Sequence, residues 1–454
     1  MSEAIKFLLA DDKTPRAWYN IVADLPQPMP PVLNAATCKP VGAEDLAPLF
    51  PMALIHQEVS TEREIEIPDP VREVYKLWRP TPLRRARSIE RLLDTPARIF
   101  YKDESAAPTG SFKPNEAVAE AFYSREAGAK KLVTLTGAGQ WGSAIAFAGA
   151  MFGLEVKIFM VRVSYEQKPY RRVLMETYGA TCIPSPSKET EAGRLALAAD
   201  PTSPGSLGIA ASEMLELAAT DPDAYLGMGS LLNFPLLHHT VIGLEALEQM
   251  EMAGYWPDII IGCVGGGSNF SGLAAPFIGK MLREKRKVRV IAAEPAACPS
   301  LTRGYYAYDF LDTARTGPLV KMYTLGSNFM PPSFHAGGLR FHGVAPLVSH
   351  LKELGLIEAV ALPQKACFEA GVIFARGEGI VPAPEANHAV RVAIDEALKC
   401  KKEGTARTIL LNLSGHGNFD MQAYADYFDG KLEDRELEQK TLDAAFANLP
   451  RVAA

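Results

Sequence analysis

The chain has 454 residues, of which 48% are hydrophobic and 22% charged, and its formal net charge is -6. Such a length and composition fit a globular enzyme, either of two domains sharing a cleft or of one large α/β domain. With no long basic run and no apolar run of membrane-spanning length, nucleic acid and membrane are excluded as main partners.

Residues 1–70 are proline-rich, as in Leu25-Pro26-Gln27-Pro28-Met29-Pro30-Pro31, which rules out a regular helix or a central strand. The segment reads as an extended arm, and Trp18, Tyr19, Phe50 and Met52 predict that it docks on the body. Strand and helix signals then alternate. Strands are predicted at 97–101, 131–135, 156–161, 259–264, 288–293 and 408–413, and helices at 115–127 and 142–152. Short apolar runs between helical stretches imply an α/β fold with open, mostly parallel sheets and helices on both faces. Residues 431–454 alternate charges and read as a surface helix with a frayed end.

Cys38, Cys182, Cys263, Cys298, Cys367 and Cys400 form no CxxC pair, so neither a zinc site nor a disulfide framework is indicated. Reduced thiols and a start without signal-peptide layout give a cytoplasmic expectation. His238, His239, His335, His342 and His388 show no metal-ligand spacing and read as packed or surface residues.

Ligands in parallel α/β sheets bind at the carboxyl ends of strands, and three glycine-bearing turns follow predicted strands here. Gly265-Gly266-Gly267-Ser268-Asn269 offers converging backbone N–H groups and a helix start to a phosphate. Thr136-Gly137-Ala138-Gly139-Gln140 can take a substrate carboxylate, and Ser414, ahead of Gly415, can hydrogen-bond a pyridine nitrogen without protonating it. Each turn would equally serve as a plain strand-to-helix connection. Lys113, in Gly110-Ser111-Phe112-Lys113-Pro114-Asn115, has small and apolar neighbours. Partial desolvation there favours a reactive amine able to form an imine with an aldehyde cofactor. Together these features suggest pyridoxal 5'-phosphate (PLP).

In this order the motifs resemble the β chain of tryptophan synthase, most closely its second, stand-alone class with an N-terminal extension. The likeness includes Leu77-Trp78-Arg79-Pro80-Thr81-Pro82-Leu83, Thr136-Gly137-Ala138-Gly139-Gln140-Trp141-Gly142, His335-Ala336-Gly337-Gly338-Leu339-Arg340, Glu378-Gly379-Ile380-Val381-Pro382-Ala383-Pro384-Glu385 and Asn412-Leu413-Ser414-Gly415-His416-Gly417. The resemblance implies a two-domain fold type II PLP enzyme, with an N-terminal domain over 71–230, a phosphate-binding domain over 231–430, and a mobile closing segment near 128–220. It implies Lys113 as the Schiff-base lysine and Asn115, Gly265, Gly266, Gly267, Ser268, Asn269, Glu378 and Ser414 around the cofactor. Thr136, Gly137, Ala138, Gly139 and Gln140 would hold the substrate carboxylate. A homodimer without an α-chain partner is implied, with room for a monovalent cation and no other metal.

The implied reaction is β-replacement on serine or O-phosphoserine through an aminoacrylate, a carbon–oxygen lyase step, with indole as nucleophile and tryptophan as product. Three substrate-pocket positions depart from the family. Phe112 stands for His, Leu135 for the Glu that acts as acid/base, and Asn328 for Asp. Leucine transfers no proton, so donors with a better leaving group, such as phosphate, become more suitable. Two other readings remain open: β-elimination of a serine- or threonine-like amino acid to a keto acid, and a PLP-binding homologue without catalysis.

Overall fold

A computed structural model describes residues 4–312, 315, 317–435 and 437–452. A seven-stranded sheet holds, in spatial order, Lys6–Phe7, Leu83–Arg85, Arg98–Asp103, Thr408–Leu413, Ile259–Cys263, Arg289–Pro295 and Glu358–Leu362. The last five are parallel, and the first two join antiparallel at one edge. Both faces are covered. Ile259, Ile261, Ile409 and Leu411 pack under Ala389, Val390 and Ala393 of the helix Ala386–Glu403. The alternating Ile260 and Leu410 join the opposite core, with Leu273 and Phe277 of the helix Ser268–Glu284. Strands buried on both sides explain the continuous apolar runs in the sequence.

A second sheet of four parallel strands has the order Thr181–Ser185, Glu155–Val161, Lys131–Thr136 and Ala224–Gly227. The helix Gln140–Phe152 covers one face through Ala144 and Ile145. On the other face Ala210 and Met214 of the helix Leu207–Thr220 pack on Val133 and Phe159. The predicted strands and helices therefore form where the apolar patterns fall, with ends shifted by a few residues. Residues 83–103 belong to the large sheet and 131–227 to the small one.

The N-terminal arm docks, but it is not simply extended: it carries short strands and the helix Met52–Val59. Trp18, Tyr19 and Phe50 are buried, whereas Met52 is exposed, because Leu54 and Ile55 supply that helix's inner face. The tail forms the helix Gln439–Phe446, while residues 436, 453 and 454 of the predicted tail helix lie outside the described residues. Among the described residues no helix is long and apolar enough to cross a membrane, and no His/Cys/Asp/Glu group is arranged to hold a metal ion. The described cysteines are free, all but Cys38 buried.

Candidate active site

The carboxyl ends of strands from both sheets meet around Lys113. Strand Arg98–Asp103 leads through a short 3-10 turn to Ser111, which bridges to Gly415 just past strand Thr408–Leu413. The Phe112 N–H donates to the Ser414 carbonyl at 3.0 Å. This pairing fixes Lys113 at the start of the helix Pro114–Glu126, pointing into a cavity of about 720 Å³. The amine donates to Ser230 Oγ at 3.1 Å, and lies 4.9 Å from the Phe112 ring centre and 5.7 Å from that of Trp141. Burial pushes the lysine pKa down, opposed by the charges of Glu116 and Glu385.

The glycine turn follows strand Ile259–Cys263 and opens the 17-residue helix Ser268–Glu284. Gly267 caps that helix at φ +103°, a left-handed conformation that other residues adopt at a cost. A Cβ on Gly265 would lie 2.5 Å from the Gly338 carbonyl oxygen and 2.9 Å from Leu339 Cα. The turn is thus a tight cradle of N–H groups at a helix start, suited to a phosphate. Ser268 Oγ hydrogen-bonds Ser230 Oγ at 2.9 Å, which ties the cradle to the lysine. The Asn269 amide turns inward and donates to the Cys263 carbonyl at 2.8 Å, leaving its backbone N–H to the helix start. Ser414 is buried, its Oγ 3.7 Å from Cys263 Sγ, whose pKa burial pushes up to about 12.

Across the cavity, Leu135, Thr136, Gly137, Ala138 and Gln140 form one wall. Thr136 Oγ1 accepts from the Gly142 N–H at 3.2 Å, and Gly139 caps the helix Gln140–Phe152 at φ +100°. The turn presents main-chain N–H groups to the space above Lys113, a suitable seat for a carboxylate. Leu135, half-buried, faces the same space as an apolar surface. Phe112 does not line the cavity; it packs against the His239 ring at 4.7 Å and lies beneath the amine.

Three sequence expectations fall elsewhere. Glu378 ends the helix Gln364–Glu378, and its carboxylate accepts the N–H groups of Ser88 and Ile89, outside the cavity. The acid that reaches the site is Glu385. It is buried, takes Gln140 Nε2 at 2.9 Å and the Gly338 N–H at 2.8 Å, and keeps Oε2 without a partner. Asn328 is exposed and does not line the cavity, although neighbouring Phe329 is buried. Asn115 is fully buried, and its side chain is committed to Arg79 at 2.8 Å and Glu104 at 3.1 Å.

Arg340, Ser230 and Glu116 were not singled out from the sequence, and His239 was read only as a packed or surface residue. Arg340 lines the cavity with no carboxylate at ion-pair distance among the described residues. Its Nη2 donates to the Pro331 carbonyl at 3.3 Å, and its buried Nε has no partner. Its one sequence signal was its place closing the His335–Arg340 motif. Nothing local marked the other three.

The arm and the helix Leu207–Thr220 close the far end of the cavity. Leu46, Leu49 and Phe50 meet Met214, Leu215 and Leu226 there. The chamber is polar around Lys113 and apolar beyond Leu135.

Residues 74–415 match the family model described as "Pyridoxal-phosphate dependent enzyme". The tryptophan synthase beta chain 2 of Aquifex aeolicus is 57% identical over 432 residues, covering 94% of this chain and 100% of that protein. Its namesake in Thermotoga maritima is 56% identical, covering 92% and 98%. Among solved structures, a fungal L-serine ammonia-lyase from Rhizomucor miehei superposes with a TM-score of 0.58 at 17% identity, covering 78% of this chain and 98% of that one. Maize serine racemase does so with 0.57 at 20%, covering 80% and 98%. At those identities the likeness is one of fold.

Proposed function

The chain belongs to the tryptophan synthase β family of PLP-dependent enzymes, and from that premise we propose that it is a carbon–oxygen lyase acting by β-replacement on a serine-type amino acid, with indole as the acceptor. The observation that carries the reading is the convergence on one cavity of the Lys113 amine, the glycine cradle and the 136–140 turn. These residues fit PLP: a cradle with no room for a Cβ, a desolvated primary amine and a buried hydroxyl at Ser414. When bound, PLP supplies an electron sink for the substrate α-carbon. Lys113 would hold the cofactor through its amine and would be the group placed to move the α-proton. The N–H groups of residues 137–139 hold the carboxylate. Ser414 would offer its hydroxyl to the pyridine nitrogen without charging it, and Glu385, rather than Glu378, braces the 136–140 turn through Gln140. The apolar chamber beyond Leu135 takes the acceptor ring and excludes water.

The donor we favour is O-phosphoserine. Leu135 offers no proton to a departing hydroxide, whereas phosphate departs unaided, and Arg340 faces the cavity with no carboxylate at ion-pair distance among the described residues. A charge-assisted contact contributes about 1.5–3 kcal/mol. Arg340→Gln is therefore expected to raise KM for O-phosphoserine about tenfold to a hundredfold and to leave serine nearly unaffected. Steady-state kinetics with both donors checks this, and equal losses would count against it. An amino-acid panel with and without indole tests the function itself. Tryptophan with indole supports replacement, keto acid from the donor alone makes the enzyme an eliminating lyase, and no turnover of any amino acid removes both readings.

The cradle carries its own expectation. Gly265→Ala drives a methyl group into the 338–339 backbone, and overpacking of this kind costs about 1–3 kcal/mol. PLP affinity is expected to fall about tenfold or more, measured by titrating apoprotein with PLP and following visible absorbance.

A further inference from the structure

Beneath Lys113 lies a buried cluster of titratable groups that none of the roles above uses. Glu116 and Glu120 stand one and two turns along the lysine's own helix, and neither has any exposed surface. Glu116 Oε2 meets His239 Nε2 at 2.8 Å, and its Oε1 accepts the Ser230 N–H at 3.1 Å. Glu120 Oε2 accepts the Met228 N–H at 2.9 Å, and its Oε1 has no partner outside the pair with Glu116. Burial first, then the charge and hydrogen bond of Glu116, raise the Glu120 pKa well above the carboxylate range, so Glu120 is the protonated member. Burial lowers the His239 pKa, so the ring is a neutral donor. Ser230 closes the arrangement. It sits at φ +76°, an uncommon conformation for a residue with a side chain, and takes the Lys113 amine on its hydroxyl.

We propose that Glu116 is a positioning residue for Lys113, the counter-charge that keeps the lysine nitrogen protonated in the resting enzyme, and the anchor that holds Ser230 against it. Glu104 is paired with Arg79 at 3.0 Å. Glu385 also favours the charged amine, but less than Glu116 does, and its hydrogen bonds go to Gln140 and Gly338 rather than to Ser230. Tyr75 is buried, donates to the Asn115 carbonyl and has a raised pKa, and Cys263 is a thiol with a raised pKa. The two N–H donors on Glu116 leave a carboxylate that is fixed in place and shielded from solvent. An opposite charge in such surroundings shifts a neighbouring group by about one to three pH units.

The inference rests on Lys113 carrying PLP, and the experiment separates the two. Visible absorbance of the resting holoenzyme is titrated with pH in wild type, Glu116→Gln, Glu116→Asp and the Glu116→Gln/Glu120→Gln double variant. The double variant prevents Glu120 from ionising in compensation. The band of the protonated form is expected to persist to high pH in wild type and to vanish about one pH unit or more lower in the double variant. Glu116→Gln should move the same way, and Glu116→Asp should restore most of the wild-type curve. If the glutamine variants do not fold, His239→Phe carries the test, since it removes one of the two hydrogen bonds that hold Glu116 in place and is expected to shift the curve in the same direction. A wild-type protein with no visible band removes the premise. A band whose pH dependence is identical in all variants overturns the role of Glu116 alone.

Discussion

Lys113→Ala is expected to purify colourless in the presence of PLP and to lose β-replacement by at least about 10²–10⁴-fold, the contribution of a positioned acid/base group. Loss of the covalent link deepens the deficit further. No other side chain stands in. Among the described cavity-lining residues the remaining cations are Arg315 and Arg340, and a guanidinium stays protonated and forms no imine under these conditions. The fold should survive, because the amine contributes one hydrogen bond to Ser230 while Phe112, on the buried side, is retained. Absorbance and turnover of the variant check the result together, and a variant that kept a visible PLP band and full turnover would remove Lys113 from its role.

Leu135→Glu is expected to act in the opposite direction, and on one donor only. Leu135 stands near the end of strand Lys131–Thr136, where its half-buried side chain lines the chamber and also packs at the edge of the core that holds Val133, Phe159 and Met214. A carboxyl group there meets cavity space, so the substitution should be tolerated. Partial burial keeps a carboxyl protonated to higher pH, which suits an acid that must give a proton to departing hydroxide. With serine and indole, tryptophan formation is expected to rise by about 10²–10⁴-fold. With O-phosphoserine, whose leaving group needs no such proton, the rate should change little. An unchanged serine rate would mean that proton donation at this position is not what limits the native enzyme.

Local patterns carried the elements that frame the site. Apolar runs marked strands buried on both faces, and a glycine turn between a strand and a helix is the same motif whatever surrounds it. Single side chains behaved differently. Glu378 and Glu385 lie seven residues apart in one motif, and nothing in their spacing says which one braces the cavity wall. Gly379 turns left-handed after the helix and leaves Glu378 capping residues 88 and 89. The chain then bridges at Pro382 to His416 and carries Glu385 to Gln140. Asn328 illustrates the same limit: its neighbour Phe329 takes the buried side of the loop and leaves the amide to solvent.

The sequence by itself determined the parallel α/β architecture, the kinship with the tryptophan synthase β family, and the lysine and glycine turn proposed to hold the cofactor, because each is written in residues adjacent along the chain. Only the tertiary structure decided which polar groups share the lysine's surroundings. Glu116 meets His239 across 123 positions, and Gln140 meets Glu385 across 245. Such pairs form because a buried polar group must find a partner wherever the folded chain offers one, and that choice depends on packing rather than on sequence neighbours.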